Sequence, residues 1–572
     1  MSVQQFQRSS TFRPVCHSHA GPGWLPVLLM VGACLGGLAQ RGSAQDSLPV
    51  LSPGSPVEGV ITKQPHAYGL NLVAGQFLRV KGEGGDASLR LIGPRGDTLQ
   101  LTHTLMLSQA VQEAGPYRLE ITRWEEDSVR YKLRMDELLS PARYAARQDS
   151  LRNDPRVAWL ARHAIPMRSL APDDDDFTDL EPLLEAIGDA RIVLLGEESH
   201  ASGTNIRAMS RLVRFLHQEM GFDVVAFESG LYEMWKVWQL IQAGHDPGDA
   251  MRQGLFGTWS YAADFQPLAR YLGQQAVGPH PLEVSGVDCQ LTGTLTARWF
   301  GTCSRLQLVS ELRELVAREH LGEEGKNLVP GFWTTLSGFV DSLNTHVKQD
   351  VLSDLRWLAE RLADAGENRS AAEGRTLRLW AQVSRSLAEL MAFFWSDAYG
   401  DRRDRQMARN LAWLAREYFP GRKIIVWAAN PHVLRHWYRL SQNPAEEDSV
   451  GKKQEVWMGQ AVWEAFGDRS FVIAATAYSG QFRWRVMPPS MTFTVVSDQD
   501  PTFELEELLA ATGLEQAVVP LRNLPPGGDW LRSPILSRPW TYQSVLVTWM
   551  DHADAILFMR AATPRASIPD SP

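Results

Sequence analysis

Residues 191–229 read RIVLLGEESHASGTNIRAMSRLVRFLHQEMGFDVVAFES. Ile192 to Leu195 is a short continuous apolar run, the pattern of a strand buried on both faces. Gly196 breaks it, and Glu197, Glu198, Ser199 and His200 follow in the turn at its carboxyl end. Met209, Leu212, Val213, Leu216 and Met220 then recur at helical spacing, one apolar face of a helix that Gly221 ends. Val224 to Phe227 is the next strand, with Glu228 at its end. The unit is strand, helix, strand. It predicts a His and two carboxylates at the carboxyl ends of adjacent parallel strands, where open α/β sheets bind ligands.

The same pattern continues downstream. Leu282 to Val287 precedes Asp288, and Lys423 to Ala428 precedes Ala429, Asn430, Pro431 and His432. Phe471 to Thr476 and Ala555 to Met559 read as later strands. Between Arg305 and Phe419 the periodicity turns helical, as at Leu355, Leu358 and Leu362. The expectation is an α/β domain over residues 166–563. It has a mostly parallel sheet and a large helical insertion before its fourth core strand, the insertion forming one wall of a cleft. A tail over 564–572 is expected to be disordered.

Upstream, residues 46–139 carry short alternating runs between turn signals, including Phe77 to Val80, Ser88 to Ile92, Tyr117 to Ile121 and Tyr131 to Arg134. That is the pattern of an antiparallel β-sandwich. Leu72 to Phe77, Leu89 to Pro94 and Ala114 to Leu119 resemble the pre-peptidase C-terminal type of domain attached to secreted bacterial hydrolases. No catalytic constellation is legible there, so an accessory role is expected. Residues 140–165 read as a helical linker, with one charged helix from Pro141 to Ala164. Asp173 to Asp176 lacks the spacing and central Gly of a calcium loop and reads as a solvated loop or helix start.

Residues 1–45 have the form of an export signal. Arg8 and Arg13 precede an apolar core from Trp24 to about Leu38, and Gly42-Ser43-Ala44 offers a cleavage site. A competing reading makes Cys34 a lipid attachment point. The expectation is a secreted or periplasmic protein or, on the competing reading, a lipoprotein of the cell envelope. No later segment is apolar enough to span a bilayer. Cys289 and Cys303 remain after processing, and both a pair and two free thiols stay open. The 572 residues are 44% hydrophobic and carry a net charge of −9, which argues against nucleic acid as the main partner. The 20 tryptophans read as core and cleft wall.

Glu197, His200, Glu228, Asp288 and His432 come from four separate strand ends, which makes them a candidate catalytic constellation. A His between carboxylates can be held in one tautomer for general-base activation of water. A Glu near another Glu can keep a proton and act as an acid. Glu197 could also cap the following helix. Asp288, Asn430 and Trp427 are expected to contact substrate. No Gly-x-Ser-x-Gly elbow surrounds Ser199, so a serine acyl-enzyme is not expected.

At these residues the chain resembles the erythromycin esterases. Leu195-Gly196-Glu197-Glu198-Ser199-His200 matches that family's L-G-E-x-[ST]-H signature. Ser285 to Gln290, Arg403 to Asn410, Lys423 to His432 and Trp457-Met458-Gly459 resemble further family segments. The resemblance implies an ester or lactone hydrolase needing no cofactor and no metal. His200 would be the base that activates water, Glu197 its support, and Glu228 and His432 further catalytic groups. Two positions depart from the pattern: Ala429 stands where the family has a His, and Met209 where macrolide-hydrolysing members have an Arg. The substrate is therefore a small ester or lactone that need not be a macrolide. Three other readings stay open: a divalent ion held by the Glu and His side chains, a degenerate site kept for ligand capture, and an exported enzyme acting on another bond in an envelope compound.

Overall fold

The computed structural model describes residues 48–568 except 63, 86, 103–104, 124–127, 293–301, 322–327, 339–342, 396–400, 441–456, 484–490, 495–501 and 542–543. The expected leader at 1–45, with Cys34, lies outside the described residues, as do residues 569–572.

The N-terminal part is the expected sandwich. Its strands are β1 (Val57–Ile61), β2 (His66–Leu72), β3 (Phe77–Gly84), β4 (Ala87–Ile92), β5 (Thr98–Leu101), β6 (Met106–Ala110), β7 (Gly115–Arg123) and β8 (Val129–Leu139). They form two antiparallel sheets, ordered β1-β8-β3-β6 and β2-β7-β4-β5. Alternate residues such as Leu78, Val80, Leu89, Leu91, Leu119 and Ile121 fill the shared core.

The linker is two helices, not one. Pro155 has no N–H to donate and disfavours a helical residue before it, so the first helix, Pro141–Arg152, stops. Asp154 then caps a second, Pro155–His163, accepting from the Arg156 N–H at 2.9 Å. The first helix is docked to both the sandwich and the larger domain. Tyr144 stacks on Phe77 of the sandwich, ring centroids 5.2 Å apart, and Arg147 bonds Glu507 through two nitrogens at 2.8 and 3.2 Å.

The larger domain is built on a nine-stranded mixed sheet. Its strands are β9 (Ile165–Pro166), β10 (Ile192–Glu197), β11 (Val224–Gly230), β12 (Glu283–Asp288), β13 (Ile424–Ala429), β14 (Ser470–Phe482), β15 (Met491–Thr494), β16 (Gln516–Pro520) and β19 (Ala555–Ala562); β17 (Ile535–Ser537) and β18 (Val545–Val547) pair separately. The order is β12-β11-β13-β10-β14-β19-β16-β9, with β15 paired to β14. The six strands from β12 to β19 are parallel. β10 and β11 are not neighbours: β13 lies between them, with Leu195 and Phe227 both in register with Trp427. The helix joining β10 to β11 spans one strand position, which the chain fills only after the insertion. The insertion itself is helical as expected, including Thr302–Arg318, Thr345–Glu367, Ala371–Phe394 and Asp401–Trp413.

Alternate strand residues face two cores. Ile192, Leu194, Val224, Ala226 and Val426 pack with Leu355, Leu358, Leu362 and Leu387 of the insertion. Val193, Leu195, Val225, Phe227 and Trp427 pack with Leu212, Val213 and Leu216 of the helix Gly203–Met220. Strands buried on both faces need apolar residues at successive positions, which is why β10 reads as a continuous run.

Two expectations are corrected here. Gly196 does not break β10, which runs on to Glu197; a glycine is needed because a Cβ there would collide with Asn430 and Val433. The chain after Thr563 stays on the domain through Ile568: Pro564 bridges Ser202, Ser567 bridges Ala262, and Arg565 is buried with its guanidinium on the Thr258 carbonyl at 2.7 Å. The acidic run is a solvated loop, as expected, with Asp173, Asp175 and Asp176 exposed; within it Asp174 and Asp175 pair with Arg168 and Arg214. Among the described residues no helix is long and apolar enough to cross a membrane.

Candidate active site

The parallel strands deliver their last residues to one edge of the sheet. Glu197 closes β10 and is fully buried. One carboxylate oxygen meets His200 Nδ1 across the turn. The other accepts the indole N–H groups of Trp427 at 3.1 Å and Trp259 at 3.3 Å. Glu197 does not cap the next helix; the Ser202 hydroxyl does, accepting from the Asn205 N–H at 3.3 Å. The His200 ring stands edge-on to Trp259 and Trp540, with centroids 5.1 and 5.5 Å away. Burial pulls its basicity down, but the adjacent Glu197 carboxylate and the Glu228 charge outweigh this and hold it above the ordinary value.

A second group lies beside it. Glu228 accepts the Ala429 backbone N–H at 2.9 Å and Arg403 Nη2 at 2.7 Å, and His432 Nε2 lies 3.1 Å away. Arg403 also grips Asp288, with Nη2 at 2.6 Å and Nε at 3.0 Å from Oδ2. His432 Nδ1 is 2.7 Å from Asp404. Burial pushes the His432 ring down, yet Asp404 and Glu228 more than reverse this and raise it to about 10. At neutral pH the ring is an imidazolium donating to both carboxylates. Burial would raise Glu228, but the His432 and Arg403 charges hold it well below the usual carboxylate range. Glu228 is therefore ionised and is not the protonated acid that the sequence allowed. Two cations, Arg403 and His432, face three carboxylates, Glu228, Asp288 and Asp404. The His200 ring feels both Glu228 and His432, so the two groups share one field.

All four expected catalytic residues come together as two pairs, His200 with Glu197 and His432 with Glu228. The three expected substrate contacts are all buried. Trp427 supports Glu197, Asp288 holds Arg403, and Asn430 Nδ2 donates to the Ala475 and Pro539 carbonyls at 2.8 and 2.6 Å. Met209 lies in the apolar core, and Arg207 bonds Asp264 at 2.6 Å. Sequence reasoning missed Arg403, Asp404, Trp259 and Trp540 as site residues. Arg403 and Asp404 lie in the first turn of the helix Asp401–Trp413, where charged residues look solvated; the resemblance of Arg403 to Asn410 to a family segment is the one signal that marks them. Cys289 is a free, buried thiol, and burial with the Asp288 charge pushes it far up, which leaves it inert. Among the described residues no three His, Cys, Asp or Glu side chains form a group that could hold a metal ion; the Arg403 guanidinium lies between Glu228 and Asp288.

Comparisons with known proteins show the family and the fold. The family described as Erythromycin esterase matches residues 217–561, a span that includes Glu228, Asp288, Arg403, Asp404 and His432. The Bacillus subtilis (strain 168) protein named "Putative hydrolase YbfO" is 23% identical over 448 residues, covering 72% of this chain and 92% of that protein. The Escherichia coli erythromycin esterase type II is 39% identical over 75 residues, 13% of this chain and 18% of that protein. A Bacillus cereus crystal structure shares the fold with a TM-score of 0.57 at 19% identity, covering 73% of this chain and 99% of that one.

Proposed function

Since this chain belongs to the erythromycin esterase family and is a hydrolase of that family, we propose that it cleaves an ester or lactone bond of a small molecule with water activated by His200. The observation that carries the proposal is the clamped Glu197 carboxylate. With one oxygen on His200 Nδ1 and the other on two indole N–H groups, it fixes ring orientation and tautomer. Nδ1 keeps its proton toward Glu197, so the neutral ring accepts at Nε2. Water gives its proton to Nε2, and the hydroxide attacks the ester carbonyl.

The negative charge that develops on the carbonyl oxygen needs fixed positive partners. Arg403 and His432 are held in place by buried carboxylates and supply them. Collapse of the tetrahedral intermediate expels an alkoxide. The imidazolium of His200, now carrying the water's proton, returns it to that alkoxide, and His432 lends its charge. Ionised Glu228 orients Arg403 and His432 rather than donating a proton.

The side chain of Ala429 is a methyl where the family has an imidazole, while its backbone N–H serves Glu228. That substitution supports a substrate other than a macrolide. Export is part of the proposal, carried by the leader at 1–45, and fractionation of producing cells checks it. Purified protein assayed on esters, lactones and macrolides, with and without EDTA, tests the chemistry. Hydrolysis that persists in EDTA supports it; hydrolysis lost in EDTA and restored by a divalent ion supports the metal reading.

A further inference from the structure

A short strap, residues 537–541, borders the site, and sequence reasoning did not single it out. It carries Trp540 edge-on to His200. The strap is pinned along its length. The Ser537 hydroxyl and the Arg538 N–H donate to Glu506 Oε1 at 2.6 and 3.0 Å. The Pro539 carbonyl accepts Asn430 Nδ2 at 2.6 Å, and the Thr541 N–H donates to the Glu198 carbonyl at 2.9 Å. Between these points Arg538 turns back from the site and grips Glu504 with Nε at 2.8 Å and Nη2 at 3.0 Å.

That grip is deep. Glu504 and Glu506 are fully buried, and Glu506 also accepts the Thr476 hydroxyl at 2.5 Å. Burial and the Glu504 charge push the Glu506 carboxyl up. Glu504 is fixed in turn, since its backbone N–H donates to Glu507 at 3.0 Å, and Glu507 is held by Arg147 of the linker. A bidentate guanidinium–carboxylate pair fixes direction as well as distance. Trp540 stands two residues beyond that fixed point.

We propose that the Glu504–Arg538 pair positions Trp540 as the inner wall of the active site and so controls how much water reaches His200. The proposal rests on His200 being the base. Glu504 and Arg538 touch neither substrate nor the reacting atoms; they act through Trp540. Loosening the strap lets solvent reach the imidazole and relieves its burial. Relief favours the charged ring, so the acid limb of the pH profile moves to higher pH.

Labelling of His200 by diethylpyrocarbonate, followed peptide by peptide with mass spectrometry, tests this without needing turnover. Trp540→Ala is expected to label His200 several-fold faster than wild type. Glu504→Gln and Arg538→Gln should do the same, with labelling of His66 in the sandwich unchanged. Should a single variant strand a buried charge and unfold, the double variant Glu504→Gln/Arg538→Met removes both charges and keeps the volume. Adding Glu504→Gln to Trp540→Ala should give no further increase, because both act through one side chain. An accompanying upward shift in the acid limb of kcat/KM supports the same conclusion. Unchanged His200 labelling in Trp540→Ala, or in folded pair variants when Trp540→Ala accelerates it, overturns the proposal. Fast labelling with no turnover by wild type would instead overturn the esterase reading and leave the strap's role standing.

Discussion

His200 and Glu197 are joined across a single turn, three residues apart, with Nδ1 of the ring on a carboxylate whose other oxygen is already committed to two tryptophans. The carboxylate cannot rotate away, so the ring has one orientation and one neutral tautomer. Glu197→Gln offers an amide that can donate to Nδ1 and reverse the tautomer. A loss of about 10²–10⁴-fold in kcat/KM is expected, the range general-base catalysis spans. The sign of the pH effect is fixed too. Glu197 raises His200, so the acid limb of the variant lies at lower pH than that of wild type. A kcat/KM profile from pH 5 to 9 measures both.

Trp427 distinguishes support from substrate contact. Its indole N–H donates to a buried carboxylate, and a hydrogen bond to a charged group contributes about 1.5–3 kcal/mol. Trp427→Phe is expected to lower stability by an amount in that range and to lower kcat while leaving KM nearly unchanged. A rise in KM with kcat intact would restore the residue to the substrate's surface.

Arg403 holds the carboxylate group together. Arg403→Ala leaves Glu228 and Asp288 buried without their guanidinium, which costs about 3–5 kcal/mol. Urea unfolding is expected to show that loss, and Asp288→Asn in the same chain to recover part of it. Activity should not return with stability, because the cation itself is missing from the reacting centre.

His432 gives a pH-dependent contribution of known sign. Its folded value of about 10 lies above the roughly 6.5 of an unfolded His. The stabilisation is fully present below about pH 6.5 and is lost as pH rises through about 10. The difference in Tm between wild type and His432→Gln should therefore be widest near pH 6 and shrink toward pH 10. His552 acts the other way. Burial, only partly offset by its bond to the Arg435 carbonyl, lowers it to about 4. Its contribution is present above about pH 6.5 and is lost as pH falls through about 4.

The reach of the sequence varied with the physics that each residue obeys. The β10 apolar run, the helical face from Met209 to Met220 and the acidic and imidazole residues at strand ends are local patterns, and each lies where its pattern places it. The position of β13 between β10 and β11 is not local. A strand arriving after more than a hundred helical residues gives no signal of which slot it fills. The same holds for side chains that meet through depth. Trp427 lies two positions before the end of β13 and looked like a ligand contact, but the pleat turns it inward to Glu197. Arg403 and Asp404 put two charges in the first turn of a helix, a pattern that solvated helices share. Trp540 sits in a segment with no periodicity at all.

The central claim is that His200 activates water for ester cleavage without a metal. The most direct test is the hydrolysis rate of purified wild type and His200→Ala on an ester and lactone panel in excess EDTA. The account predicts turnover by wild type that EDTA leaves unchanged, and its loss in His200→Ala. Equal rates for the two proteins, or wild-type turnover that ceases in EDTA and returns with a divalent ion, would contradict it.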